Sequence, residues 1–251
     1  MAFDPHRFRQ DFPLLRSSKA PIYFDNACMT LKPVQVVEAM NDYYHNYPGC
    51  GGRSSHSISR RVDEETRRAR KKVKEFINAK KEQEIIFTRN TTESINLVSR
   101  SLPFEKGDIV MTSDKEHNSN HLPWQTLMQR QHTCHEILPS KPDNTFDMAA
   151  LEDSLKRQPV RLLALGMTSN MDGVSIPAKK IIKKAHKHGA LVLLDAAQTA
   201  PHQSLDVKGL GADFVAFSGH KMLGPTGAGV LYAKKKQLEM MTPYNVGGET
   251  V

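Results

Sequence analysis

The chain has 251 residues, of which 39% are hydrophobic and 25% are charged, a composition typical of a globular protein slightly larger than one average domain. No apolar run is long enough to span a membrane, and residues 1–7 lack the apolar stretch of a secretory signal. Three cysteines without Cys-x-x-Cys spacing indicate a reducing compartment and no disulfide scaffold. The sequence therefore predicts a cytoplasmic protein that does not bind membranes.

The formal net charge is +8, so binding to nucleic acid has to be considered. Much of the basic excess lies in two runs, residues 67–74 and 179–184, where charged residues alternate with apolar ones at helical spacing. This spacing predicts solvated outer faces of helices that pack on a sheet. No nucleic-acid motif accompanies them, and we expect no nucleic-acid partner, although a basic rim could attract an acidic protein.

The first third of the chain contains few strand patterns. Residues 1–20 are predicted to form a polar arm with a short amphipathic piece at 8–15. A helix is expected from Val34 to Tyr44, and a charged helix over 61–78. The glycine-rich loop 48–56 lies between them and is of a kind that approaches ligands or partner subunits closely.

From residue 84 onward, short apolar runs alternate with helical patterns, which is typical of a mainly parallel sheet covered by helices on both faces. The run 230–233 follows a tight reversal at 224–229, so it is expected to run antiparallel beside 214–217. We assign residues 21–251 to one α/β domain. Its strands are predicted near 84–88, 109–112, 135–138, 161–166, 191–194, 214–217 and 229–233.

The most informative residue is Lys221, in the run Ser218-Gly219-His220-Lys221. The pattern Ser-x-His-Lys, placed directly after a buried strand, is a signature of lysines that bind pyridoxal 5'-phosphate (PLP) covalently. Asp195 ends another apolar strand, where a carboxylate is unfavourable unless it meets a cation. Alone, Asp195 could equally cap the next helix; beside Lys221, it is expected to hold the cofactor's ring nitrogen protonated.

Four further polar positions allow more than one interpretation. Thr91 and Thr92 open a predicted helix, where they could bind an anion or simply cap the helix. His117 and Asn170 follow predicted strands, and without other information they would be a surface histidine and a turn residue. The run 132–135 holds two histidines and a cysteine, but alternate strand residues point to opposite faces, so no metal site is predicted there.

Six segments together resemble the cysteine desulfurases of the class V aminotransferase family, in the sulfur-mobilisation branch that includes selenocysteine lyases. Their order and separations are similar to those of the family from near the first residue to the last. The segments are Tyr23–Ala27, Thr88–Asn96, Glu116–Asn120, Thr168–Asn170, Asp195–Gln198 and Ser218–Lys221.

The resemblance implies the large domain of the type I fold of PLP-dependent transferases, and it implies a role for each candidate residue. Thr91, Thr92, Ser218 and His220 would hold the phosphate. His117 would lie on the cofactor ring and shuttle protons. Gln198 would donate to the ring's phenolic oxygen, with Asn170 near it or near the substrate. Catalysis would then rest on Lys221, His117 and Asp195.

The resemblance also implies a reaction and partners. L-cysteine, or L-selenocysteine, would be converted to alanine while the sulfur passes to an enzyme thiolate for iron–sulfur cluster or other sulfur-cofactor assembly. A homodimer and a sulfur-acceptor protein would be the protein partners.

Two departures from the family pattern leave alternatives open. Family members continue past the match to 247–251, adding a small carboxyl-terminal domain, a nucleophilic cysteine and a substrate-binding arginine; we expect the 251 residues to lack all three. Gly52 stands where close relatives carry a histidine before the arginine matched by Arg53. The alternatives are a non-catalytic PLP-binding partner subunit, a kynureninase-like lyase and an epimerase.

Overall fold

A computed structural model describes residues 3–247 and contains one seven-stranded sheet of order β1-β7-β6-β5-β4-β2-β3. β7 is antiparallel to both β1 and β6, and the other neighbouring pairs are parallel. The predicted α/β fold with one antiparallel strand is therefore confirmed. The strands are β1 Ile85–Thr88, β2 Ile109–Ser113, β3 Cys134–Leu138, β4 Val160–Gly166, β5 Leu191–Asp195, β6 Phe214–Ser218 and β7 Gly229–Ala233.

Helices cover both faces of the sheet, as predicted. One apolar layer is formed under α3, α6, α7 and α8, and the opposite layer under α4, α5 and α9. No helix within residues 3–247 is long and apolar enough to cross a membrane. The helices are α1 Pro5–Arg9, α2 Val34–Asn46, α3 Ser57–Phe76, α4 Thr91–Ser101, α5 Leu122–Gln131, α6 Met148–Arg157, α7 Ala178–Lys187, α8 Val207–Leu210 and α9 Lys235–Leu238.

Two helix predictions differ in extent from the structure. The charged helix α3 begins at Ser57 instead of residue 61, because the ring of His56 accepts a hydrogen bond from the Ser59 N–H and caps the first turn. The amphipathic piece expected over 8–15 is divided into α1, which Asp4 caps, and a separate 3-10 turn at Pro13–Leu15. The basic runs of α3 and α7 do face solvent, as their spacing indicates.

The amino-terminal arm encloses an apolar cavity of about 670 Å³. Phe8 and Phe12 contribute their rings, which meet edge to face at a centroid distance of 5.2 Å. Leu223, two residues after Lys221, also lines this cavity, in a left-handed conformation with φ +68°. The arm and the segment that directly follows the candidate cofactor lysine thus line one cavity.

At the opposite, amino-terminal end of β6, Asp213 is a buried carboxylate that several donors surround. His186 Nε2 lies 2.7 Å and Lys234 Nζ 2.9 Å from its oxygens, and the Val192 N–H donates to it at 2.9 Å. Burial alone would raise the pKa of Asp213, but the bonds from Lys234, His186 and Val192 outweigh it and hold the pKa below its ordinary value. This cluster ties α7, β5 and the end of β7 to β6.

We expect Asp213→Ala to lower the free energy of unfolding by about 1–3 kcal/mol, because it leaves the buried Val192 N–H and Gln237 amide without their acceptor. Glu239→Ala is the matched control, since it removes the carboxylate of an exposed Lys235–Glu239 pair and should change stability by less than about 1 kcal/mol. Thermal and urea unfolding of both variants at neutral pH measure the difference. Equal losses in the two variants would contradict the role given to Asp213.

Candidate functional site

The carboxyl ends of the parallel strands meet around one cavity of about 470 Å³, the place where open α/β sheets bind ligands. Asp195 ends β5 and Ser218 ends β6, while the loops after β2 and β4 and the start of α4 complete the wall. All the residues that the sequence singled out for this site line the cavity together. They are Thr91, Thr92, His117, Asn170, Asp195, Gln198, Ser218, His220 and Lys221.

The lysine turn is held by the amino-terminal segment. Lys221 ends a 3-10 turn, Gly219–Lys221, that directly follows β6. The N–H and the hydroxyl of Thr30 both donate to the His220 carbonyl, at 3.0 and 2.9 Å, and Lys32 Nζ donates to the same oxygen at 2.9 Å. The Thr30 hydroxyl in turn accepts from the Leu223 N–H at 2.9 Å. These contacts give Lys221 a fixed backbone position.

Asp195 is buried, with 8% of its surface exposed, and its hydrogen bond from the Ala197 N–H at 2.8 Å goes to Oδ1. Burial raises the pKa of Asp195, while the Ala197 N–H, Lys221 and His117 oppose the rise. The second carboxylate oxygen has no hydrogen bond from the described residues. A cationic donor in the cavity would therefore relieve an unfavourable buried charge.

Hydroxyl groups and the amino-terminal end of α4 form another part of the cavity wall. Asn90 caps α4 by accepting from the Glu93 N–H at 2.8 Å, so the capping role that the sequence left open for the threonines belongs to Asn90. The Thr91 N–H donates to Ser218 Oγ at 2.8 Å, and the two hydroxyls lie 2.6 Å apart. Such a cluster at a helix amino terminus matches the donors that phosphate groups prefer.

His117 and Gln198 have partners within the chain. The Ser119 N–H donates to His117 Nδ1 at 3.1 Å, which leaves Nε2 as the proton-bearing atom of the neutral ring. Gln198 Nε2 donates to the Ala27 carbonyl at 2.7 Å, so its amide group is engaged by the amino-terminal segment. Asn170 lines the cavity with an exposed side chain.

Sequence reasoning missed Glu116 and the segment around Ala27 as parts of the cavity wall. Glu116 accepts hydrogen bonds from Ser113, Asn120 and Gly166. Desolvation by the surrounding protein raises the pKa of Glu116 to about 7, with Asp195 adding to the rise and the three donors opposing it. The sequence signal for both was their place in the segments Glu116–Asn120 and Tyr23–Ala27, which carry the family resemblance but gave neither of them a role.

The three cysteines are unpaired and exposed, and they differ in location. Cys28 lines the cavity beside Ala27, whereas Cys50 and Cys134 are not among its lining residues. Cys134 begins β3, where the neighbouring His135 instead bonds to Thr112. Of the three, Cys28 is the thiol nearest to the candidate chemistry.

This set of groups fits a molecule with an aldehyde, a basic ring nitrogen and a phosphate, which is the chemical description of PLP. Lys221 supplies an amine, Asp195 a carboxylate oxygen that has no hydrogen bond from the described residues, and Thr91 with Ser218 a cluster of hydroxyls at a helix start. Burial, followed by the charges of Lys221 and Lys32, lowers the pKa of His220, and the same two cations would attract a phosphate.

Comparison with known proteins places the chain in a family. Residues 22–251 match the model of the family described as Aminotransferase class-V, and the chain belongs to that family.

Individual relatives and solved structures show a more specific similarity than the family model does. A probable cysteine desulfurase from Halalkalibacterium halodurans is 40% identical over 98% of this chain and 62% of its own length. The apo structure of a cysteine desulfurase from Thermococcus onnurineus superposes with a TM-score of 0.93 at 38% identity, over 100% of this chain and 62% of the other. A lysine-to-alanine variant of C-DES with glycine covalently linked to PLP has a TM-score of 0.84 at 26% identity, over 95% and 62%. The chain thus spans about 62% of the length of these relatives.

We expect Asp195→Asn to stabilise the PLP-free protein and to reduce the stabilisation that added PLP provides. Because the folded pKa is raised, ionisation of Asp195 opposes folding at every pH above its ordinary value of 3.8, and asparagine removes that opposition. At pH 7 this should appear as a higher midpoint of thermal unfolding for the PLP-free variant.

Thermal unfolding at pH 7, with and without saturating PLP, measures both effects. Asp143→Asn, an exposed loop carboxylate, is the control. A lower midpoint for PLP-free Asp195→Asn than for the unaltered chain would mean that the negative charge itself stabilises the fold, contrary to our assignment.

Proposed function

We propose that this chain binds PLP through Lys221 and forms the cofactor-binding part of a cysteine desulfurase that takes sulfur from L-cysteine and releases L-alanine. The observation that carries the proposal is the buried Asp195 carboxylate, which shares one cavity with Lys221 and the hydroxyl cluster of Thr91 and Ser218. When bound, PLP supplies an electron sink that weakens bonds in the attached amino acid.

The residues of the chain would divide the work as follows. Lys221 Nζ would hold the cofactor covalently, and the same amine could move protons at the attached amino acid. Asp195 keeps the ring nitrogen protonated through a charge that the site can deliver without reorganisation. Thr91, Thr92, Ser218 and His220 bind the phosphate.

The remaining three residues would contact the cofactor ring or its oxygen. His117 packs on the ring and exchanges a proton from Nε2. Gln198 would transfer its amide hydrogen bond from the Ala27 carbonyl to the cofactor's phenolic oxygen, with Asn170 on the same side.

The chain's surface supports two proposed protein partners. Exposed apolar side chains at Ile22, Phe24 and Tyr44 suit a homodimer, and the basic outer faces of α3 and α7 suit an acidic sulfur-acceptor protein.

We also propose a cytoplasmic location, in line with the free cysteines, and a division into an arm at residues 1–20 and a PLP-binding domain from residue 21 onward. L-selenocysteine is the second substrate that this assignment allows.

We expect PLP to give the purified chain a visible absorbance, and borohydride reduction followed by peptide mapping to find the pyridoxyl group on Lys221. Lys115 also lines the cavity, but its amine already bonds to Asp172 and to the Asn144 carbonyl at 2.8 Å. Lys115→Ala should therefore keep the absorbance that Lys221→Ala abolishes. A label on Lys115, or none on folded protein, would refute the proposed cofactor.

The desulfurase reaction is tested with a chimera in which residues 1–251 are followed by the carboxyl-terminal part of the Halalkalibacterium halodurans relative. In the presence of dithiothreitol, we expect the chimera to release sulfide and alanine from L-cysteine in equal amounts, and Lys221→Ala to reduce both to the rate of free PLP. L-kynurenine should give no product. Turnover of L-kynurenine without sulfide release would favour the kynureninase-like alternative.

The same assay on residues 1–251 alone should detect no sulfide beyond free PLP, because the resemblance implies a nucleophilic cysteine in the part of the relatives that this chain does not match. Sulfide release that required Lys221 would contradict this expectation. Cys28, which lines the cavity, would then be the thiol to replace by serine first.

A further inference from the structure

Glu116 is a carboxylate at the cavity wall to which the proposed function gives no role. It connects three parts of the chain that are separate in sequence. Ser113 Oγ, at the end of β2, donates to Oε1 at 2.6 Å, while Asn120 Nδ2 and the Gly166 N–H donate to Oε2 at 2.6 and 2.7 Å. Glu116 therefore joins the ends of β2 and β4 to the loop that carries His117.

The atoms that Glu116 contacts are themselves firmly placed. Gly166 is paired with Asp195 in the register of β4 and β5, and the Met167 N–H donates to the Asp195 carbonyl at 2.9 Å. Asn120 is fully buried and its Oδ1 accepts from the indole N–H of Trp124, also fully buried, at 3.3 Å. The Glu116 carboxylate is thus fixed from the sheet on one side and from the second apolar layer on the other.

Residue 166, which lies against the Glu116 carboxylate, is a glycine, and the missing side chain leaves space for the carboxylate. A Cβ at position 166 would lie 3.2 Å from Glu116 Oε2, closer than most real Cβ contacts. A glycine there allows the carboxylate to reach the backbone N–H at full hydrogen-bond strength. Any larger residue would have to push Glu116 away from the strand end.

The hydrogen bonds made by the His117 ring itself do not reach the sheet. Ring Nδ1 accepts from the Ser119 N–H, and Ser119 Oγ lies 2.7 Å from Thr92 Oγ1 at the start of α4. These bonds orient the ring relative to its own loop and to α4. Within residues 3–247, the hydrogen bonds from this turn to the end of β4, next to Asp195, pass through Glu116.

We propose that Glu116 is a positioning residue that fixes His117 relative to Asp195 by tying the His117 loop to the ends of β2 and β4. The purpose of this role, to position His117 for PLP, rests on the proposed function. The contacts themselves exist in the PLP-free chain. Neither protonation state interrupts them: a proton on Oε1 can be donated to Ser113 Oγ while Oε2 still accepts its two bonds. Hydrogen-bond geometry, and not charge, is the property that the site requires of this residue.

Two substitutions separate geometry from charge. Glu116→Gln removes the charge but can keep the network, since its oxygen can accept from Asn120 and Gly166 while its amide donates to Ser113. Glu116→Asp keeps the charge, but it is one methylene shorter and cannot reach all three partners. Glu152→Asp makes the same chemical change at an exposed pair with Lys184 and is the control.

The first measurement needs no cofactor. In PLP-free protein, we expect Glu116→Gln and Glu152→Asp to keep the amide hydrogen exchange of Gly166 and the ring chemical shifts of His117. Glu116→Asp should accelerate Gly166 exchange by about tenfold or more and shift the His117 signals. Unchanged Gly166 and His117 signals in a folded Glu116→Asp variant would overturn the proposal.

The second measurement uses the PLP-loaded protein and reads the visible circular dichroism of the bound cofactor, which reports how the ring is held. Glu116→Gln should keep at least about half of the signal of the unaltered chain, and Glu116→Asp should lose most of it. The reverse order would show that the charge is what matters and would overturn the positioning role. Failure of the unaltered chain to bind PLP would refute the proposed function alone, since the hydrogen-exchange result would still decide the role of Glu116.

Discussion

A mostly buried carboxylate, with one oxygen that has no hydrogen bond from the described residues, is the constraint on which this site depends. Asp195 has one backbone donor, and its remaining stabilisation comes from the charges of Lys221 and His117. Removing a charge from water is unfavourable unless cations or donors surround it. The cavity is consequently arranged around Asp195, with an amine and an imidazole that must stay close for the folded chain to tolerate it.

The sheet topology satisfies this constraint with few long-range contacts. Because β4, β5 and β6 are parallel and adjacent, the residues that end them meet without any loop having to fold inward. The single antiparallel strand, β7, then brings Gly229 against the backbone of Asn90, where a Cβ would lie 2.5 Å from the Asn90 Cα. This close approach is what sets the start of α4 beside Ser218.

Much of the fold and of the cavity wall was predictable from the sequence, for physical reasons that differ between residues. Buried parallel strands appear as short apolar runs, and polar residues directly after them, such as Asp195 and Ser218, must lie at one edge of the sheet. Glu116 could not be recognised in this way. Its hydrogen bond to the Gly166 N–H joins residues fifty positions apart, and only the folded chain brings them together. The extent of α3 was missed because a histidine is not a typical capping residue.

The threonines at the start of α4 show the same limit of prediction from sequence. Two hydroxyl residues at a helix start predict either an anion site or a cap, and only the neighbouring Asn90 decides between them. Its side chain fulfils the capping requirement, and the threonine hydroxyls instead bond to neighbouring hydroxyls, Thr91 to Ser218 and Thr92 to Ser119. The local sequence predicts which residues could act as donors. Their neighbours in the folded chain determine which groups they bond to.

The left-handed leucine beside the lysine turn has a consequence for how the protein can vary. A glycine at position 223 would adopt φ +68° with less strain, but it would withdraw a side chain from the apolar cavity under the amino-terminal arm. The arm and the turn that follows Lys221 therefore line the same apolar cavity. Shortening or exchanging the arm would open the cavity that Leu223, two residues after Lys221, lines.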